Sequence, residues 1–309
     1  LFGFDVFNEP FPGSAGGKAF RRLVGGIVST VLGNKRVNKP ELIKELLDSD
    51  RRGDLINVLN DPEVYHSIIS KAAPIIKEFD TQYYYPFFRK VASAIRAVTK
   101  RGIIMMENCY YSNLGIPCST PRLIYRDGSA EPNLVFSPHG YDLMVDTPAY
   151  NDASNERVDF IFDEHERTQD RLDVPVVVGE WGGFYSDEGS NYSHLIHLLH
   201  KFDRNVWSQT YWCYIDGIED SDIFSYLSRP YPRAIAGHIV SFETNWDQRR
   251  FTLHFTADAA SVKKNEIYMP EKPVEITGCS KHSVKELPDG GYLVTCSAEI
   301  GENRIEIKY

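Results

Sequence analysis

The stretch Val176-Val177-Val178-Gly179-Glu180-Trp181-Gly182-Gly183 limits most what this chain can fold into. Its short β-branched run has the length and composition of a strand, without the alternation of a half-exposed one. Both faces are therefore expected to be covered, as in a parallel sheet with helices outside. The run ends in a carboxylate at a glycine-rich loop, where α/β barrels place their chemistry. Phe4-Asp5-Val6-Phe7-Asn8-Glu9-Pro10 repeats the pattern near the start. Pro10 cannot donate to a ladder and biases Glu9 toward extended backbone, so Glu9 is also expected at a strand end. Two strand-end carboxylates on one rim can face each other across a sugar bond. The plainer alternative for Glu180, taken alone, is a loop cap or an arginine pair.

Strand and helix patterns alternate between the two glutamates, 180 − 9 = 171 residues apart. Residues 11–17 read as a turn-rich loop, and Leu23–Leu32 as a packed short helix or strand, or an apolar wall for a lipid tail. Asn38-Lys39-Pro40 and Asp61-Pro62 read as helix starts, the second breaking near Pro74. Residues 80–100 form a helix with Tyr84, Phe87, Phe88, Val91, Ile95 and Val98 on one apolar face. Residues 155–172 form another, with Glu164, Glu166, Arg167 and Asp170 as its solvated face. Strand ends fall at about 9, 107, 139, 180 and 212. Such alternation argues for a parallel sheet with outer helices. Glu107 is expected to support the rim, and His139 closes a run of strand ends that carry polar groups. Residues 229–237 are expected to begin a final helix. From about residue 240, short alternating strands with turn signals suggest a small antiparallel sandwich.

The 309 residues suffice for one large domain and a small one. Lys and Arg number 34 against 43 Asp and Glu, a balance of −9 that argues against a nucleic-acid partner. No apolar run is long enough to span a bilayer. Aromatic residues make up 13%, which suits stacking on sugars or holding a lipid, and equally a large core. Cys109 with Cys118 and Cys279 with Cys296 are spaced for two local disulfides; five buried thiols are the alternative. No His/Cys cluster has zinc spacing. Asn191-Tyr192-Ser193 is a glycosylation acceptor triplet. The chain opens on Leu1 inside a strand-like run, and is read as a fragment or processed piece.

Asn8-Glu9-Pro10, His139-Gly140-Tyr141, Gly179-Glu180-Trp181 and Trp212, in that order, resemble glycoside hydrolase family 5 of clan A. Asp5–Pro10, Gly179–Phe184 and Arg229-Pro230-Tyr231-Pro232 further resemble the endoglycoceramidases, which cut the bond between an oligosaccharide and ceramide. The resemblance implies Glu9 as acid/base and Glu180 as nucleophile, with retention and with no cofactor or metal. It implies that Asn8 binds the sugar 2-hydroxyl, that His139 and Tyr141 position the carboxylates, and that Trp212 floors the sugar subsite. Trp181, Phe184, Tyr185 and Phe11, which flank the two glutamates, are expected to offer ceramide an apolar lane, with core packing as the alternative for any one of them.

The family places the Asn-Glu-Pro strand fourth. The expected fold is therefore strands four to eight of a (β/α)8 TIM barrel over residues 1–239, then a β-sandwich over 240–309. Three strands and their helices would lie on a segment before Leu1, supplied as a separate chain. Expected partners are a glycosphingolipid substrate and, peripherally, a membrane or micelle; the expected location is secreted or extracellular. The competing activities are a β-glucosidase acting on glucosylceramide or a steryl glucoside, and a non-catalytic glycolipid-binding module. The second has no use for two facing carboxylates.

Overall fold

The computed structural model describes residues 2–33, 57–145, 153–184, 192–257 and 265–309. The expected helix start at Asn38-Lys39-Pro40 and Asn191 of the acceptor triplet lie outside the described residues. Two compact units divide the chain: Leu1–Phe184 with Ser208–Cys213, and Tyr185–Trp207 with Tyr214–Tyr309.

Among the described residues, the first unit carries five parallel strands. β1 (Gly3–Asp5), β2 (Ile103–Met106) and β3 (Leu134–Phe136) form one sheet in chain order, with Gly3 opposite Ile103 and Ile104 opposite Leu134. β4 (Val177–Gly182) pairs with β5 (Ser208–Trp212). Single parallel bridges, Phe136 to Val176 and His139 to Glu180, link the two sheets. β3 is buried throughout and Val178 completely, as the unalternating apolar runs require.

Helices separate the strands. α1 (Ser14–Gly33) starts inside the stretch expected to be a loop and runs unbroken through its glycines. Its apolar stripe, Ala19 and Leu23, packs in one core with Tyr65, Ile68, Ile76 and Phe160. A β-carbon on Gly26 would come within 3.1 Å of Ile68, so tertiary packing offsets the poor helix propensity there. α2 (Pro62–Ile69) is capped by Asp61, whose Oδ1 accepts from Glu63 and Val64 N–H. It breaks before α3 (Ala73–Phe79), where Pro74 sits in the first turn. A π-helical segment, Asp80–Tyr84, leads into α4 (Tyr85–Val98). Tyr84 and Phe88 face inward, but Phe87 is 41% and Val98 89% exposed, so the buried stripe is narrower than expected.

α5 (Asn155–Leu172) buries Val158, Ile161, Phe162 and Leu172. Glu164, expected in solvent, is buried and paired with Arg167. Arg157 is buried too. Its guanidinium binds Asp142 through two bonds of 2.6 and 2.9 Å and reaches Asn60 Oδ1 at 2.6 Å. Removing either ion would leave an uncompensated buried charge, at a cost of about 3–5 kcal/mol.

The second unit contains α6 (Tyr192–Arg204), the short α7 (Asp222–Leu227) and two four-stranded antiparallel sheets. One has the order β10-β13-β8-β7, formed by β7 (His238–Asn245), β8 (Arg250–Ala257), β10 (Glu275–Thr277) and β13 (Gly301–Lys308). The other has the order β11-β12-β9-β6, formed by β6 (Tyr231–Ala234), β9 (Asn265–Met269), β11 (His282–Glu286) and β12 (Tyr292–Cys296). Phe251, Leu253, Phe255 and Ile305 of the first sheet share a core with Ile267, Met269 and Val294 of the second. β6 occupies the stretch expected to begin a helix. Pro230 and Pro232 suit an edge strand, where a missing N–H costs nothing. The antiparallel sheets therefore begin ahead of residue 240. All five cysteines are free, against the two expected local disulfides; Cys109, Cys118 and Cys296 are buried, and Cys213 and Cys279 are half-buried.

Candidate active site

Glu9, His139, Tyr141 and Glu180 converge in the first unit. Glu9 lies four residues beyond β1 rather than at its end, and it holds a left-handed backbone with φ 46°. His139 follows β3 by three residues, and Glu180 lies within β4. The single bridge between His139 and Glu180 fixes these two backbones side by side.

His139 is buried at the centre. Its Nδ1 lies 3.1 Å from Glu9 Oε1 and 3.3 Å from Glu180 Oε2. One ligand atom from each of these three residues lies within 4.8 Å of the others, so the trio could also share a cation. Tyr141 donates its hydroxyl to Glu180 Oε2 at 3.0 Å. Burial raises the Glu180 carboxyl above the usual range. His139 and the Tyr141 bond pull it down, while Glu9 and Asp5 push it further up.

The histidine itself is anchored from behind. Its carbonyl accepts from His165 Nε2 at 2.9 Å, and its N–H donates to Asn108 Oδ1 at 3.3 Å. Burial pushes His165 down to about 4, which keeps that ring neutral and assigns the Nε2 proton to the bond.

Two residues that the sequence reading passed over complete the network. Asn113 donates to Glu9 Oε1 at 2.8 Å, and Asn108 donates to Asn113 Oδ1 at 3.1 Å. Both come from the stretch after β2, where a 3-10 turn (Tyr110–Leu114) folds Asn113 back toward the rim. No motif marks them; a polar pair straddling a strand-end loop is the only trace. Glu107, expected as a support, is buried, and its Oε2 accepts the Glu9 backbone N–H at 2.6 Å.

The remaining expected site residues divide. Asn8 is exposed next to Glu9, and Trp212 is 48% exposed at the end of β5. Trp181 and Phe184 are buried, which takes these two out of the expected apolar lane; Phe11 is exposed, and Tyr185 lies outside the described residues. The Trp181 indole is fully covered, packs edge-on against Tyr211 and donates to Gln209 Oε1. The Phe184 backbone exchanges two bonds with the Tyr211 hydroxyl. Exposed aromatic side chains in this unit include Phe7, Phe11, Phe87 and Tyr110, with Phe7 edge-on to Phe87 and Phe11 against Tyr110.

Residues 80–217 match the family described as cellulase, glycosyl hydrolase family 5, and residues 229–307 match the glycoside hydrolase family 5 C-terminal domain. No match is found among curated proteins. Among solved structures, endo-glycoceramidase II from Rhodococcus sp. aligns with a TM-score of 0.62 and 18% identity, over 75% of this chain and 56% of that one. Its ganglioside GM3 complex aligns with a TM-score of 0.61 and 17% identity, over 80% and 63%. Sterylglucosidase 1 from Cryptococcus neoformans gives a TM-score of 0.55 and 16% identity, over 74% and 44%. The chain thus spans less than two thirds of the length of these structures, and at such identities the likeness is one of fold. The two family matches lie in succession along one chain, and the barrel-type parallel strands precede a β domain. This chain therefore belongs to glycoside hydrolase family 5.

Proposed function

We propose that this protein hydrolyses a β-glycosidic bond with retention of configuration, using Glu180 as nucleophile and Glu9 as acid/base. The observation that carries this reading is the approach of the two carboxyls, whose oxygens lie within 4.8 Å across His139. Retaining pairs stand about 5–5.5 Å apart, while inverting pairs leave about 6.5–9.5 Å for a water. In the first step Glu180 attacks the anomeric carbon while Glu9 protonates the leaving oxygen. In the second, Glu9 takes a proton from a water whose oxygen attacks the anomeric carbon, and the glycosyl ester to Glu180 breaks. His139 Nδ1 and the Tyr141 hydroxyl hold the Glu180 carboxylate in place, and Asn113 holds Glu9. Asn8, exposed beside Glu9, is assigned to the sugar 2-hydroxyl, and Trp212 to the floor of the sugar subsite.

The proposed substrate is a glycosphingolipid, cleaved between oligosaccharide and ceramide, and the proposed setting is extracellular with peripheral contact to a membrane or micelle. Support comes from the fold shared with endo-glycoceramidase II and from the exposed aromatic side chains in the unit that holds Glu9. The shared fold of sterylglucosidase 1 favours a second reading, a β-glucosidase of glucosylceramide or a steryl glucoside. The purified protein is to be assayed on a ganglioside, glucosylceramide and an aryl β-glycoside. Intact oligosaccharide supports the first reading and glucose alone the second. Glu180→Gln should lower turnover by several orders of magnitude, and Glu9→Gln should spare aryl glycosides with good leaving groups. Formation of an inverted product, followed by proton NMR, would sink both role assignments.

A further inference from the structure

The double displacement gives Glu107 no step, yet this carboxyl touches both sides of the candidate site. It is 1% exposed, one residue past the end of β2. Its Oε2 accepts the Glu9 backbone N–H at 2.6 Å, and its Oε1 lies 3.5 Å from His139 Nε2. Glu9 needs such a hold, because a residue with a β-carbon rarely adopts a left-handed backbone unless its surroundings impose it. His139 needs one as well, since its Nδ1 must face two carboxylates at once.

We propose that Glu107 is a positioning residue: it clamps the Glu9 backbone in its left-handed turn and sets the His139 ring so that Nδ1 carries the proton toward Glu9 and Glu180. This rests on the roles proposed above for those two glutamates. The titratable groups facing Glu107 are Asp5 on β1, Glu9 beyond it, Tyr84 of the π-helical segment, His139 beyond β3 and Glu180 on β4. Burial, then Asp5, pushes the Glu107 carboxyl up to about 10, so it is neutral at pH 7. Neutrality suits the task. An ionised Glu107 would draw the imidazole proton to Nε2 and turn Nδ1 into an acceptor facing two acceptors. It would also set a further negative charge beside the Glu180 carboxylate. A neutral acid still accepts the Glu9 N–H and leaves the proton on Nδ1.

The test compares Glu107→Gln, a neutral side chain of the same length, with Glu107→Leu, using Glu107→Asp should the leucine variant fail to fold. Turnover of an aryl β-glycoside is measured per folded molecule across pH, and the His139 ring tautomer is read by 1H–15N NMR. Glu107→Gln should stay within about threefold of wild type in kcat with the Nδ1–H tautomer retained. Glu107→Leu or Glu107→Asp should lose at least about tenfold in kcat, change KM little, and mix the tautomers. Wild-type kcat and an unchanged His139 spectrum in Glu107→Leu would overturn the proposal. So would a glutamine variant as damaged as the leucine one with its proton moved to Nε2. If the wild-type protein turns over no β-glycoside, the hydrolase reading fails, and the His139 spectra alone decide the positioning role.

Discussion

Burial lifts the Glu180 carboxyl, and a phenol joins His139 in opposing the rise. The Tyr141 hydroxyl donates to its ionised form, opposing the burial that lifts the carboxyl above its usual range. A nucleophile must be ionised to attack, so activity should fall as pH drops through the Glu180 titration. Removing the hydroxyl removes a bond to the charged form and raises that pKa. Tyr141→Phe is therefore expected to shift the acid limb of kcat/KM to higher pH and to lower kcat about tenfold; a pH–rate profile reads both. Asp80 carries a related effect on stability. Burial pushes its carboxyl up to about 7, against the bond from Ser119 N–H and the charge of Arg171. Between its ordinary value of 3.8 and about 7 the native state then binds more protons than the unfolded one. The unfolding free energy must fall as pH rises through that window, and the loss is complete above about 7. Asp203 and Glu107, raised to about 6 and about 10, add the same sign. The difference between wild type and Asp80→Asn isolates the Asp80 share: urea midpoints from pH 4 to 7.5 should decline less in the variant. Parallel declines would remove Asp80 from the account.

At the level of elements, the site depends on how closely β4 runs beside the stretch carrying His139. A β-carbon on Gly179 would fall 2.9 Å from His139 Nε2 and 2.8 Å from Ser137 Oγ. Gly179 itself has no left-handed backbone, so alanine is compatible with the strand and strains the His139 ring and the Ser137 hydroxyl. Gly179→Ala should push His139 off the two carboxylates and cost about a hundredfold in kcat with little change in the far-ultraviolet dichroism. Full activity would mean that the ring has room to shift. The sequence carried this strand because its valines do not alternate, and it carried the rim because Glu9, His139 and Glu180 each follow an apolar run. It could not carry what distant partners decide. Trp181 and Phe184 follow Glu180 and read as binding aromatics, but Gln209 and Tyr211 arrive from β5 and bury them. Asn113 reaches Glu9 only because a 3-10 turn folds the chain back. The glycines of the first helix and the prolines at and just before β6 sent local propensity the wrong way, and packing against Ile68 and an edge position overruled it.

Across the whole molecule, hydrogen bonding is unevenly distributed. The five parallel strands follow one another in chain order, and among the described residues β1 and β5 each have one paired neighbour strand. Phe2 and Phe7 beside β1 and Trp212 at the end of β5 are exposed, whereas β3 is buried throughout. A family 5 barrel closes its sheet and so leaves no such edges. Among the described residues, backbone amides that point outward from β1 and β5 have no partner strand, whereas those between β2, β3 and β4 do. Hydrogen exchange followed by mass spectrometry should separate the two groups: amides of Ile104, Met106, Phe136 and Val178 slow, and those on the outer sides of β1 and β5 faster by at least an order of magnitude. If the outer amides instead exchange as slowly as the inner ones, both edges are paired in solution. The sheet would then be completed by a further polypeptide segment or by a second copy of the chain. Native mass spectrometry of the same sample distinguishes these, because a second copy doubles the mass and a different segment adds its own.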